Sequence, residues 1–346
     1  MQGAAGLKRI LILGACAAAL FGALLAASPR AEATPLTSYS GRLYAVSTNP
    51  GTHKAQIFTR KSGSGWNRIR YLGNIWGRNS LGSIQIDADR KGRFVIVCGG
   101  AGLYRHYVYR ISTDGGKAVK LSGSLRCYRN ASLSPDGSKV AFFSDGGASP
   151  GSLYVVSSSG GNPRLLARKP VCGVSGDIKW AAGRIYFNGQ NTHCDVLPEL
   201  GVYASIFSVR ASDGRGFVQH VDPPEPYSND PTYAVQDVSP DGGRILAVRG
   251  NDYGGQTLVE LSPAGRTEIQ TVGSYNEVML FNWALAEYSP DANRVAFVRP
   301  WGSGEDPPFH VTLSGPLSSL IIPFPLANAP ESAPGGGMFA VDWARK

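Results

Sequence analysis

The sequence predicts an all-β fold, a six-bladed β-propeller that is closed by pairing of its C-terminal strand with its N-terminal blade. Two repeated patterns carry this prediction. A Ser-Pro-Asp turn motif recurs in front of apolar runs, and a pattern of strand, small-residue turn and strand follows each copy. The composition agrees, because 44 glycines, 23 prolines and only 17% charged residues in a chain of 346 suit many short strands and turns.

The turn motif is clearest in SPDG at 134–137, just before the apolar run 139–143. Proline pre-sets its own φ, aspartate hydrogen-bonds to nearby backbone, and glycine accepts the positive φ that closes a tight hairpin. The apolar run is rich in β-branched and aromatic residues, as a buried strand requires. Further copies begin at Ser239 and Ser289, so each predicts strand, tight turn and strand.

The second pattern, seen in LYVVSSSGGNPRLLAR at 153–168, adds two more strands to each unit. Degenerate copies of both patterns fill the gaps between the three clear turns. Each unit therefore has four strands, a to d, over the 40–50 residues of a propeller blade. The predicted blades are 41–73 with 336–346, 80–124, 127–169, 173–221, 232–273 and 280–325.

The two ends of the chain supply one blade between them. Residues 42–73 give strands b, c and d, whereas MFAVDWARK at 338–346 gives a strand a with nothing after it. If the last strand pairs with the first blade, the ring has no free inner edge.

The stretch SPDGSKVAFFS at 134–144, followed by LYVVSSSGGNPRLL at 153–166, resembles the repeat of TolB-like β-propellers, the WD-repeat-like propeller family. The resemblance covers essentially all of residues 34–346, without the α/β domain that precedes the propeller in TolB. It implies a periplasmic or secreted binding scaffold, and it is specific for fold rather than for function.

Residues 1–33 are predicted to be a signal peptide. Lys8 and Arg9 precede an apolar stretch at 10–27, and Ala-Glu-Ala at 31–33 is a cleavage signal. An uncleaved anchor and a lipoprotein modified at Cys16 are the alternatives. After cleavage we expect a secreted or periplasmic protein with no membrane span.

The formal charge of +9 is spread along the chain. Its densest basic and aromatic stretch is RKSGSGWNRIRY at 60–71, which is either a solvated hairpin or a contact for an anionic polymer. The expected partner is an envelope or extracellular protein or polymer rather than a nucleic acid, and we expect a monomer.

Four cysteines remain after export, and an even number in an oxidising compartment predicts disulfides with three possible pairings. Because strands alternate in direction, all four fall on one side of the propeller. Proximity favours Cys98–Cys127 and Cys172–Cys194, with Cys127–Cys172 as the rival linkage.

Three segments have partial catalytic or metal-binding patterns. GASPG at 147–151 matches a nucleophile elbow, but Pro150 has no N–H to offer an oxyanion, so a loop is predicted. The segment from Asp87 begins like a calcium loop but has Cys98 at its twelfth position. His193-Cys194-Asp195 is an alternative, a candidate metal-binding segment. We expect no catalytic residue, metal or cofactor.

Function is expected where the long loops collect, at 188–204, 222–232 and 300–308. They bring His193, Tyr203, Tyr227 and Trp301 to one rim, which is the predicted binding site. The favoured function is a non-catalytic scaffold that binds a protein or envelope polymer there. The alternatives are loops that only cap the channel and a propeller-fold lyase or hydrolase acting on an extracellular glycan.

Overall fold

The computed structural model of the chain describes the residues that follow, all within the unit Pro35–Lys346. They are 41–49, 54–61, 64, 67–71, 86–89, 91–99, 106–144, 151–168, 170–171, 174–189, 205–222, 232–250, 256–273, 286–289, 291–300, 309–315, 318–323 and 338–344. The regular elements of these residues are 24 strands, which confirms the all-β prediction.

The strands of the described residues form six four-stranded antiparallel sheets, numbered here as blades 1 to 6. Blade 1 contains β1 (Arg42–Asn49), β2 (Lys54–Lys61), β3 (Asn67–Tyr71) and β24 (Met338–Ala344). Blade 2 contains β4 (Ile86–Ala88), β5 (Phe94–Gly99), β6 (Tyr107–Ser112) and β7 (Val119–Lys120). Blade 3 contains β8 (Cys127–Leu133), β9 (Lys139–Ser144), β10 (Ser152–Ser157) and β11 (Arg164–Ala167).

The second half of the chain repeats this arrangement. Blade 4 contains β12 (Val174–Ala181), β13 (Arg184–Gly189), β14 (Ser205–Arg210) and β15 (Val218–Gln219). Blade 5 contains β16 (Thr232–Val238), β17 (Ile245–Gly250), β18 (Gln256–Ser262) and β19 (Gly265–Gly273). Blade 6 contains β20 (Ala286–Tyr288), β21 (Val295–Pro300), β22 (Phe309–Gly315) and β23 (Ser318–Pro323).

One strand of each blade lies next to the corresponding strand of the neighbouring blades. These inner strands are β4, β8, β12, β16, β20 and β24; each contacts the next in this order, and β24 contacts β4. The C-terminal strand β24 is also paired antiparallel with β1, with Leu43 opposite Trp343 and Ala45 opposite Val341. The predicted propeller architecture is therefore confirmed.

The core lies between the blades, which explains why the second strand of each blade is apolar without alternation. Successive side chains of a strand point to opposite faces of its sheet. On β9, Phe142 packs with blade 2 and Phe143 with blade 4, and both are fully buried. On β13, Tyr186 likewise packs with blade 5 and Phe187 with blade 3. A strand buried on both faces needs a continuous apolar run.

The Ser-Pro-Asp turns have the geometry that their sequence predicts. The Ser134 hydroxyl donates to Asp136 Oδ1 at 2.5 Å and accepts from the Lys139 N–H at 2.9 Å. Gly137 closes the turn at φ 73° by donating its N–H to the Ser134 carbonyl at 2.7 Å. The turns at Ser239 and Ser289 repeat these bonds.

Acid should weaken these turns through their aspartates. The Ser134 hydroxyl and the Ser138 N–H stabilise the Asp136 carboxylate and lower its pKa from 3.8 to about 2. A lowered folded-state pKa stabilises the fold above the unfolded value, and this stability is lost as pH falls from about 4 to about 2. We expect Asp136→Asn to cost about 1 kcal/mol at pH 6, the carboxylate being screened by solvent.

Urea unfolding at a series of pH values checks this expectation. The difference in unfolding free energy between wild type and Asp136→Asn should shrink as pH falls below 4 and vanish near pH 2. Asp114→Asn, in the exposed turn between β6 and β7, is the matched control. A pH-independent difference would show that the charge of Asp136 contributes nothing.

Candidate functional site

Every inner strand carries a polar residue near its C-terminal end. In β4, β8, β16 and β20 this residue lies two places before the first residue of the turn, and in β12 and β24 it lies two places before the last residue of the strand. We call this set the polar ring; its members are Asp87, Ser132, Lys179, Asp237, Glu287 and Asp342. The strand pairings place them at equivalent register positions, for example Asp87 opposite Ile96, Ser132 opposite Ala141 and Lys179 opposite Tyr186. The side chain of Asp342 lies outside the described side chains.

Three ring residues join their blade to the next one by the same kind of hydrogen bond. Asp87 Oδ2 accepts from the Leu133 N–H at 2.8 Å, and Asp237 Oδ2 accepts from the Tyr288 N–H at 2.8 Å. Ser132 Oγ accepts from the Trp180 N–H at 3.0 Å in the same way. The acceptor in each case lies one blade before the donor, so these bonds satisfy inner-strand N–H groups that the blade's own ladder leaves unpaired.

Lys179 cannot accept such a bond, because an ammonium group only donates. It forms an ion pair with Glu287, which joins blade 4 to blade 6. The two side chains are 7% and 10% exposed, so the pair is buried where the inner strands meet. The ring thus combines carboxylates with one lysine inside the protein.

Burial and the neighbouring charged groups change the pKa of Asp87. Burial raises the pKa of Asp87, and the neighbouring Asp237 raises it further. The Lys179 ammonium and the bonds from Ser132 and Leu133 act in the opposite direction. Ser132 Oγ donates to Asp87 Oδ2 at 2.7 Å.

The connections between strands are longer on one side of the propeller than on the other. The side of the propeller that carries the turns after strands a and c is called the turn face. Its turns are two to seven residues long. On the opposite side, called the loop face, four to 15 residues join the strands. Five of these connections have 12 or more: 72–85, 190–204, 220–231, 274–285 and 324–337.

The predicted rim residues belong to the loop face by their place in the chain. His193, Tyr203, Tyr227 and Trp301 all lie outside the described residues. Their side-chain positions therefore remain predictions.

The predicted disulfide between Cys98 and Cys127 is confirmed, with the two Cα atoms 6.2 Å apart. Cys98 lies near the end of β5 and Cys127 begins β8, so the bond joins blades 2 and 3 on the loop face. Both residues are buried. Cys172 and Cys194 lie outside the described residues, and their linkage stays a prediction.

Asp87 and Asp89, the carboxylates of the segment that begins like a calcium loop, accept hydrogen bonds from other residues of the protein. Asp87 belongs to the polar ring, and Asp89 accepts from Arg93 Nε at 2.7 Å and from Arg93 Nη2 at 3.2 Å. Within the described ranges, no group of three or more His, Cys, Asp or Glu residues has the arrangement of a metal site. Of the segments GASPG and His193-Cys194-Asp195, only Gly151 is described.

One serine and one histidine of the described residues lie within bonding distance of each other. Ser208 Oγ is 2.8 Å from His220 Nε2 in blade 4. Ser208 is fully buried and its hydroxyl also accepts from Arg184 Nε at 2.8 Å, so it is not placed to attack a substrate. The pair is part of the sheet's internal bonding.

Sequence reasoning missed the polar ring, although a signal for it exists. When the repeats are aligned on Ser134, Ser239 and Ser289, a polar residue stands two places earlier in each strand. In a single strand this residue resembles ordinary alternation. The alignment of all inner strands is needed to recognise it.

A search for similar proteins supports the fold. No protein-family model matches the chain, and no curated protein matches it in sequence. TolB from Acinetobacter baumannii is similar in structure, with a TM-score of 0.60 and 13% identity, over 88% of this chain and 67% of that chain. A protein described as TolB from Agrobacterium tumefaciens has a TM-score of 0.51 and 14% identity, over 88% and 91% of the two chains. At these identities the likeness shows a TolB-like β-propeller fold.

No helix among the described residues has the length and apolar character to cross a membrane.

Proposed function

We propose that this chain is an exported, non-catalytic β-propeller that binds a protein or a cell-envelope polymer through its loop face. The observation that carries the proposal is the unequal length of the connections on its two faces. Loops on a rigid scaffold are the usual place for binding residues. Folding alone needs no 15-residue connection between β13 and β14, because β17 and β18 are joined by five residues.

Export is supported by two independent observations. The first 33 residues have the charge, apolar run and cleavage signal of a signal peptide. Cys98 and Cys127 form a disulfide, a bond that persists mainly in oxidising compartments. The proposal places the mature protein, from residue 34, in the periplasm or outside the cell.

The proposal takes the propeller to be a six-bladed ring that the C-terminal strand closes. Three observations support this: the six four-stranded sheets, the pairing of β24 with β1, and the contacts of the inner strands, which run in order from β4 to β24 and back to β4. A ring of this kind provides the rigid scaffold that the loops require.

Alanine variants at the rim test the proposed face. The wild-type mature protein and a Tyr203→Ala/Tyr227→Ala/Trp301→Ala variant are used to capture partners from the envelope fraction of the producing cells. Aromatic side chains tend to dominate interface energies, so the variant should lose capture by tenfold or more while keeping its melting temperature.

Trp66→Ala is the matched control, because Trp66 belongs, by its place in the chain between β2 and β3, to a connection of the turn face. It should capture as well as the wild type. If Trp66→Ala weakens capture and the rim variant does not, the binding face has been assigned to the wrong side.

A further inference from the structure

We infer that His220 is a pH-sensitive latch that holds the outer strand of blade 4 to its sheet and releases it on protonation. The inference does not depend on the proposed function, because it concerns a hydrogen-bond chain within one blade. That chain runs from Arg184 through Ser208 to His220.

The direction of each hydrogen bond follows from the chemistry of the donors. Arg184 only donates, and its Nε reaches Ser208 Oγ at 2.8 Å. Its Nη2 also donates to the carbonyls of Ser208, at 3.2 Å, and of Gly216. Ser208 Oγ also lies 2.8 Å from His220 Nε2, and the hydroxyl donates its single proton to that nitrogen when Nε2 carries no proton. We assign His220 as neutral, with its proton on Nδ1, because this form gives the buried Ser208 hydroxyl proton an acceptor.

Protonation would disrupt this chain. A proton on His220 Nε2 gives the Ser208 hydroxyl a second donor beside Arg184 and removes the acceptor of its own proton; Ser208 is fully buried, whereas His220 is exposed. A buried polar group without a partner is costly. The Arg184 guanidinium and the protonated His220 ring would then both donate to the Ser208 hydroxyl.

Among the described residues, no negative charge near His220 compensates a proton on its ring. From β13, Tyr186 packs against it with ring centres 5.1 Å apart, and the Arg184 guanidinium approaches along the same strand. Desolvation of the ring lowers the pKa of His220, and Arg184 lowers it further. Burial raises the pKa of Tyr186, and Asp241, in the turn after β16, raises it further. Asp222, which follows β15, accepts a hydrogen bond from Gln219 Nε2 at 3.1 Å.

The strand that His220 follows is weakly held. β15 has two residues, Val218 and Gln219, and the exposed Phe217 lies just before it. The His220 N–H donates to the Ile206 carbonyl at 2.8 Å, which extends the ladder by one bond. Because the folded state favours neutral His220, the strand is held above the pKa of the released residue, 6.5, and is destabilised as pH falls below it.

Amide hydrogen exchange on the full mature chain tests the latch. Leu121 is the internal control, because its N–H donates to Val108 in blade 2 as His220 does to Ile206, without a histidine. Between pH 6.5 and the folded-state pKa, the protection of the His220 amide should fall by up to tenfold per pH unit, after correction for intrinsic exchange, while that of Leu121 stays constant.

His220→Gln should abolish the difference, since glutamine can accept from Ser208 but does not titrate. A second readout is the NMR titration of the five histidines, in which His220 should titrate below 6.5 and move upwards in Ser208→Ala. Equal pH responses of the His220 and Leu121 amides in the wild type would overturn the inference. So would titration of His220 at or above 6.5.

Discussion

Lys179→Met should lower the free energy of unfolding by about 3–5 kcal/mol, because it leaves Glu287 buried without the ammonium that compensates its charge. Glu287→Met should also lower the free energy of unfolding, although the Lys179 ammonium then keeps the Asp87 carboxylate as a neighbour. The pair joins blades 4 and 6, so its loss affects contacts between blades as well as the local strand. The loss expected for Lys179→Met is a large share of the stability of a typical domain.

The double variant Lys179→Met/Glu287→Met separates the pair's energy from the cost of an orphaned charge. Because both charges of the pair are removed together, it should be more stable than Lys179→Met, in which Asp87 and Glu287 both lose the ammonium. Urea unfolding of the wild type, the two single variants and the double variant completes a double-mutant cycle. Arg210→Ala/Asp213→Ala, which removes the exposed pair at 3.0 Å, is the control and should cost less than about 1 kcal/mol. Additive losses at Lys179 and Glu287 would show that the two groups do not stabilise each other.

The repeated turns could be predicted from the sequence because their information is local. Ser134, Asp136 and Gly137 lie within four residues, and each makes the bond that its residue type favours. The last clear copy departs from the pattern, since Ala292 occupies the glycine position at φ 55°. The serine and aspartate bonds hold that turn in the same geometry despite the alanine.

The outer strands were harder to predict. The repeat predicts a fourth strand in every unit, but the fourth strand of blade 4, β15, contains only Val218 and Gln219. An outer strand pairs on one side only. β15 is paired with β14 and, among the described strands, has none on its other edge. Short outer strands also protect a sheet edge from pairing with other chains.

The polar ring could not be predicted from single segments because its bonds connect distant parts of the chain. Lys179 and Glu287 are 108 residues apart, and Asp87 and Leu133 are 46 apart. Only the arrangement of the blades brings them together. The Cys98–Cys127 bond was predictable by contrast, because it joins consecutive blades and the repeat fixes which end of each strand carries the cysteine.

The account depends most on the ring, because the assignment of a loop face requires all the blades to be held in one scaffold. β24 supplies the inner strand of blade 1, pairing with β1 and contacting β20 and β4. Its removal would expose the paired edge of β1 and leave the adjoining inner strands without a neighbour. Unpaired edges and exposed apolar surface favour aggregation.

Deletion of residues 338–346 tests this most directly, with deletion of residues 345–346 alone, which lie beyond β24, as the matched control. Light scattering and thermal unfolding of the two truncated proteins are compared with the wild type. We expect the longer deletion to aggregate or to unfold without cooperativity, and the shorter one to behave as the wild type. A longer deletion that stays monomeric and soluble with an unchanged melting temperature would contradict the closed ring.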